Sequence, residues 1–201
     1  LHSFEIEKVK KIGKDHIIDI DILPNRMPDA SSHLGVAREI AIILNLKLES
    51  KHHEVKVETS ENNLIKIENP DLCSRYTALE MRDVEVKESP NWLKERLEIL
   101  GLNSINNIVD AANYIMLEMG QPLHVFDADK LEGNEINVRH AKNGEKITAL
   151  DDKDYELDDT MLTITDSKDV LAIAGIKGGK KAEVDTNTKN QKIYIHINRV
   201  A

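Results

Sequence analysis

The sequence predicts an α+β fold: two helices packed on a mainly antiparallel sheet, preceded by a small strand-helix segment. Three observations carry this expectation. Two consecutive segments space their apolar residues at helical intervals and each runs into a glycine. Beyond Gly133, short β-branched runs alternate with turn residues. Ahead of both, a β-branched run breaks at two prolines and gives way to another helical pattern.

Taken in order, residues His16 to Ile22 read as a strand, ended by Leu23-Pro24-Asn25-Arg26-Met27-Pro28-Asp29. Leu34, Ala37, Ile40, Ala41 and Leu44 then repeat at helical spacing, with Ser31, Ser32 or Asp29 available to accept the first free amide protons. A strand and a helix on residues 1–48 bury too little surface to stand alone, so this segment is expected to complete something supplied elsewhere. Residues 49–70 are polar and read as a linker plus an edge strand, with Val55, Val57, Leu64, Ile65 and Ile67 as its apolar positions. Tyr76 to Val86 has strand character. Ser89-Pro90 reads as a helix start, a capping hydroxyl followed by proline where its missing donor costs nothing. Trp92, Leu93, Arg96, Leu97 and Leu100 are its expected buried stripe, and Gly101 closes it. The next helix carries Ile108, Ala112, Ile115 and Met119, with Asn106 or Asn107 as cap and Gly120 as its end. Strands are then expected at Ile136–His140, Lys146–Leu150, Tyr155–Leu157, Met161–Thr165, Val170–Ile176 and Ile193–Val200, with hairpin turns at Asn143-Gly144 and Asp151-Asp152.

Composition narrows the function classes. The chain has 201 residues, 40% of them hydrophobic and 31% charged, which suits a globular domain with a core rather than a disordered chain. Its longest apolar run, Ile40 to Leu44, is far short of a bilayer span, and its first residues carry no apolar leader, so a cytoplasmic location is expected. Cys73 is alone, which excludes an internal disulfide and a cysteine-based zinc site. A formal charge of −9 argues against non-specific binding to a phosphate backbone, because that affinity comes from lysine and arginine releasing counterions.

Several residue groups invite a chemical reading. Gly175-Ile176-Lys177-Gly178-Gly179 has glycines and lysines but not the spacing of a nucleotide loop, and reads as a tight turn between strands. His52-His53 lacks partners at metal spacing and reads as solvated linker. Asp151, Asp152, Asp154, Asp158 and Asp159 are crowded enough to attract a cation, but aspartate is an ordinary turn residue and turns are expected there. Gly120-Gln121-Pro122-Leu123-His124-Val125-Phe126-Asp127 is more unusual: it places a histidine in a short connection fixed by proline, between a helix and the sheet. Such a histidine is either a hydrogen-bonded structural residue or a binding group, since loops on a rigid scaffold are where binding groups concentrate. Asn113, further back on the second helix, faces either the same cleft or solvent.

The run from Ile105 through Asn113 and His124 to Asp127 closely resembles the central signature of the bacterial phenylalanyl-tRNA synthetase β subunits. Ser89-Pro90-Asn91-Trp92-Leu93, Ala172-Ile173-Ala174-Gly175-Ile176-Lys177-Gly178-Gly179 and Asp21-Ile22-Leu23-Pro24-Asn25-Arg26 resemble the same family in the same order. The resemblance implies three divisions: residues 1–48 as the later half of a first module, 49–70 as linker, and 71–201 as fused third and fourth modules that hold a tRNA-editing site. The implied activity is hydrolysis of the ester in misacylated tyrosyl-tRNA(Phe), with aminoacylation left to the α subunit. Such a second pocket has a physical rationale, because a hydrophobic site rejects an added hydroxyl only weakly, whereas a site that hydrogen-bonds the hydroxyl excludes phenylalanine.

By the same resemblance, His124 and Asn113 lie beside the scissile ester and the terminal adenosine as catalytic residues, and Gly178 and Gly179 line the amino-acid pocket. His196 occupies the slot where relatives carry a glutamate that receives the tyrosine hydroxyl; an imidazole also donates or accepts a hydrogen bond. Lys177, Lys180 and Lys181 make the glycine turn more basic than is usual in the family, and read either as solvated or as contacts to tRNA phosphates. The implied partners are the α subunit and tRNA(Phe), in an enzyme of two α and two β subunits. No membrane partner, metal or cofactor is expected in this segment, while ATP and Mg belong to the intact synthetase. An alternative reading is a structural, tRNA-orienting module whose editing has decayed.

Overall fold

The structure is a computed structural model, and it describes residues 4–49, 56, 64–186, 188 and 193–200. The chain divides into two compact units. One comprises 1–58, 89–105 and 110–122; the other comprises 59–88, 106–109 and 123–201.

In the first unit β1 (Glu5–Ile12) and β2 (Asp15–Asp21) form an antiparallel hairpin around Gly13, whose φ of 59° suits a residue without a β-carbon. The single strand expected before the prolines is thus the second arm of a hairpin. The first arm went unread because its apolar residues Ile6, Val9 and Ile12 stand three apart among lysines and glutamates and show no strand alternation, and Ile6 and Val9 are both exposed. A short turn of helix, α1 (Met27–Ala30), leads into α2 (His33–Ile43). Of the three candidate caps, Ser32 accepts from the Gly35 amide at 3.0 Å. A β-carbon at Gly35 would collide with the carbonyl of Asp29, so glycine alone lets α2 turn back on α1. Arg26 clips this corner through Asp29 at 2.7 Å and Glu39 at 2.6 Å.

The remaining helices of this unit are α3 (Asn91–Ile99) and α4 (Asn107–Met119), whose first turn belongs to the other unit. Trp92 meets Tyr114 edge-on at 5.6 Å. Leu93 and Leu97 are buried as expected, but Trp92 and Leu100 are exposed, so the stripe is narrower than the periodicity implied. Nor does Ser89 cap α3. Pro90 is the N-cap, and the Ser89 hydroxyl donates to the fully buried Asp110 carboxylate at 2.5 Å. Asp110 also accepts from the Ser104 hydroxyl at 2.5 Å and the Ile105 amide at 2.9 Å. One carboxylate on α4 therefore satisfies both ends of the α3 segment. His33 joins α2 to α4 through the Leu117 carbonyl at 2.9 Å.

The second unit holds the sheets. Asn106 starts α4 here by accepting from the Ile108 and Val109 amides at 3.0 and 2.9 Å, while its amide nitrogen donates to the Val184 carbonyl. The strands β3 (Ile65–Ile67), β6 (Ile136–His140), β9 (Leu162–Thr165), β10 (Val170–Ile173) and β11 (Lys177–Gly178) form a five-stranded sheet in the order β11-β10-β9-β6-β3. All its neighbours are antiparallel except β3 and β6. A second sheet places β12 (Ile193–Val200) between β4 (Cys73–Met81) and β5 (His124–Asp127), and β7 (Glu145–Thr148) pairs with β8 (Asp154–Leu157) as a hairpin. The α+β class holds, but the single sheet expected here is three sheets among the described residues of this unit. Ile65–Ile67 is the expected edge strand; Val55, Val57 and His52-His53 lie outside the described residues. The expected strand Val170–Ile176 breaks at Gly175, where a φ of 71° makes a turn and separates β11. Phe126, Ile136, Val138, Ile164, Leu171 and Tyr194 fill the core. Cys73 joins them, and burial pushes its thiol pKa up.

Asp110→Ala strands two hydroxyls and an amide and is expected to cost about 3 kcal/mol. Urea unfolding followed through the fluorescence of Trp92, the only tryptophan and in the same unit, measures it.

Candidate functional site

His124 opens β5, directly after the Gly120-Gln121-Pro122-Leu123 connection. Alternation along β5 puts Phe126 on the same face as His124. The buried Phe126 ring meets the imidazole edge-on at 4.9 Å. The register pairs His124 with His196 on β12, and His196 in turn with Ala78 on β4. Burial lowers the pKa of His124 from its ordinary value, so at neutral pH the imidazole is uncharged and keeps a lone pair.

The glycine turn approaches this ring. A β-carbon on Gly178 would stand 2.5 Å from Cε1 and 3.1 Å from Nε2 of His124, and 2.9 Å from Cδ1 of Leu150. Gly178 is thus needed by its neighbours: its backbone carries the imidazole and a leucine methyl at van der Waals range. Gly179 has a different reason. Its amide donates to the Leu171 carbonyl at 2.7 Å, and a β-carbon would meet that carbonyl at 2.5 Å and Ile147 at 2.9 Å. It is a close approach of backbone to backbone, on the side of β10.

The lysines of the turn are paired. Lys177 reaches Asp151 at 2.7 Å and the Tyr155 hydroxyl at 3.0 Å; Lys180 pairs with Asp152; Lys181 bridges Asp166 at 2.8 Å and Asp169 at 2.6 Å. The hydrogen bond from Lys177 holds the Asp151 carboxyl down at about 2. For Asp166, burial pushes upward, yet the Asp169 amide, Lys181 and the Glu132 amide outweigh it and the carboxyl lies below its usual range. The aspartate-rich turns accordingly do local work. Asp154 accepts from Thr148, Asp158 from Thr160, and Asp159 sits with Asn143. Among the described residues no cluster of three or more His, Cys, Asp or Glu side chains forms a metal site.

Of the residues picked from sequence, His124 and Gly178 therefore come together, with Gly179 next in the chain and His196 opposite in the register. Asn113 lies half-buried on α4 in the first unit. Leu150 was missed. Its signal was an apolar residue in Thr148-Ala149-Leu150-Asp151-Asp152, where a hairpin turn would otherwise be polar.

Residues 72–199 match the family described as the B3/4 domain, and the chain belongs to that family. Over 186 residues it is 47% identical to the phenylalanine-tRNA ligase beta subunit of Carboxydothermus hydrogenoformans, which covers 92% of this chain and 23% of the relative. The beta subunit of Thermotoga maritima is 42% identical over 187 residues, again 92% of this chain and 24% of the relative. The chain thus spans about a quarter of the length of these curated relatives. In fold it is similar to an N-terminal fragment of the phenylalanyl-tRNA synthetase beta subunit from Pyrococcus horikoshii, with a TM-score of 0.52 at 18% identity, covering 97% of this chain and 59% of that one. Among the described residues no helix is long and apolar enough to cross a membrane.

Two outcomes follow from this geometry. Gly179→Ala presses on a carbonyl that cannot move and is expected to cost about 2–3 kcal/mol by thermal melting. Gly178→Ala meets the tip of a side chain, so its expected effect is a displaced imidazole, read as shifted His124 ring resonances with little loss of stability. The titration has a definite sign. Below the ordinary histidine pKa of 6.5 the unfolded chain takes up a proton that folded His124 resists, so stability present at neutral pH is lost as pH falls. His124→Gln is expected to flatten that part of the dependence in urea titrations at pH 7.5 and 5.5.

Proposed function

We propose that this chain is part of the β subunit of a phenylalanine-tRNA ligase and that it carries a hydrolytic editing site for tyrosyl-tRNA(Phe). The observation that carries the reading is the half-buried imidazole of His124 packed against Gly178, in a chain that has a B3/4 domain and is 47% identical over 186 residues to such a subunit. In the reaction a water adds to the ester carbonyl, the bond to the ribose oxygen of the terminal adenosine breaks, and free tyrosine and uncharged tRNA leave. Neutral His124 positions the water through its nitrogen lone pair, or the ester carbonyl through its ring N–H, and is not required to act as the full general base. Asn113 is assigned to the adenosine end, and His196 to the tyrosine hydroxyl, both by resemblance. Gly178 and Gly179 form the backbone beneath the amino-acid pocket.

The same reading gives the wider setting. The partners are the α subunit and tRNA(Phe), in an assembly of two α and two β subunits in the cytoplasm, with ATP and Mg used by the intact ligase. This segment alone does not aminoacylate. The three divisions 1–48, 49–70 and 71–201 belong to the same proposal. The pairing of Lys177, Lys180 and Lys181 with aspartates disfavours that turn as a tRNA phosphate contact.

The test uses the complete ligase, with full-length β and α subunits, presented with tyrosyl-tRNA(Phe). His124→Ala is expected to slow deacylation by about 10²-fold, the low end for a positioned proton-transfer residue, while phenylalanine charging is unchanged. Equal deacylation rates would remove His124 from the reaction and leave a structural, tRNA-orienting module.

A further inference from the structure

Leu150 has an unusual setting for a turn residue. It lies between β7 and β8, where water-facing polar residues are the norm, and it is 45% exposed. Each of four consecutive residues there is tied to the glycine turn. Ala149, fully buried, bridges Gly179; the Leu150 amide donates to the Gly178 carbonyl at 3.1 Å; Asp151 pairs with Lys177 and Asp152 with Lys180. Two backbone links and two ion pairs therefore fix where the leucine stands. Its Cδ1 and the His124 Cε1 both lie within 3 Å of the point a Gly178 β-carbon would occupy. The methyl and the imidazole are neighbours, brought there by different elements. Leaving a leucine half in water forgoes burial that a domain core would reward.

We propose that Leu150 is a specificity-determining residue of the site: it is the apolar wall on which the aromatic ring of the esterified amino acid packs while His124 addresses the ester. The proposal rests on the hydrolytic reading above and adds what holds the acyl side chain. Leucine cannot distinguish a phenol from a phenyl ring, because both present the same apolar face. Leu150 therefore selects aromatic over small aliphatic acyl groups and leaves the hydroxyl to a polar residue. A contact of this kind is made equally in ground and transition states, so it acts on KM and leaves kcat alone.

The experiment compares Leu150→Ala, Leu150→Gln, Leu150→Met and His124→Ala in the complete ligase, on tyrosyl and alanyl esters of the same tRNA. Leu150→Gln keeps side-chain bulk at a half-exposed position and so preserves the fold if the shorter alanine does not. Expected are a rise in KM of about ten-fold for the tyrosyl ester in the Ala and Gln variants, kcat within about two-fold, and no change for the alanyl ester. Leu150→Met should behave as the parent. An unchanged KM in the Ala and Gln variants, with His124→Ala impaired, overturns the role of Leu150 and leaves the hydrolytic site standing. A fall in kcat at constant KM also overturns it, since Leu150 would then only be supporting the imidazole. If His124→Ala is itself without effect, the hydrolytic reading fails and this proposal with it.

Discussion

Gly178 has no side chain because the space a β-carbon would take is already shared by an imidazole and a leucine methyl. That single steric constraint organises the second unit's candidate site. For the imidazole to reach this point, β5 must pair with β12 in the observed register. For the glycine to meet it, the turn after β10 must run back as β11. The methyl arrives only because the end of β7 is bound to the same stretch of backbone. Three separate pieces of chain converge on one residue without a β-carbon, and close packing makes such convergence discrete.

Electrostatics holds the arrangement in a characteristic way. The chain is strongly acidic overall, yet the basic stretch 177–181 spends its lysines on aspartates. Exposed pairs of this kind are individually weak and screened by salt. The pairs of Lys177 and Lys180 have a positional value, since they join the β7–β8 turn to the glycine turn at Asp151 and Asp152, directly after Leu150. Asp110 plays the stronger version of the same part in the first unit. A fully buried carboxylate with three donors is costly to leave unpaired, so the segments that supply those donors are held to it.

Local patterns made much of the fold readable. The limits of β6 and β12 match the β-branched runs, and α4 ends at Gly120, where φ is 76°. The readings that failed did so where a tertiary partner overrode a local rule. Ser89 looked like a helix cap, but Asp110, 21 residues later, takes its hydroxyl. Trp92 looked like core, but it lies exposed beside Tyr114. The first hairpin arm was hidden because neither face of β1 is buried, which leaves no binary pattern to read. In the candidate site, His124 and the glycines were singled out by resemblance to a family signature, and their meeting in space is what the structure adds. Leu150 was not singled out, because its meaning depends on which backbone it lands against, and sequence spacing carries no such information.

The position of β12 has a consequence for how the protein is made. Residues 193–200 lie between β4 and β5, so two strands that emerge from the ribosome much earlier have no common neighbour until the last part of this stretch is synthesised. Their edges stay open through that interval, and the ordering of His124 on its strand waits on its pairing with His196, 72 residues further along the chain. A nascent chain paused before Ile193 would thus present two unsatisfied strand edges, the kind of surface that chaperones shield and that seeds misassembly.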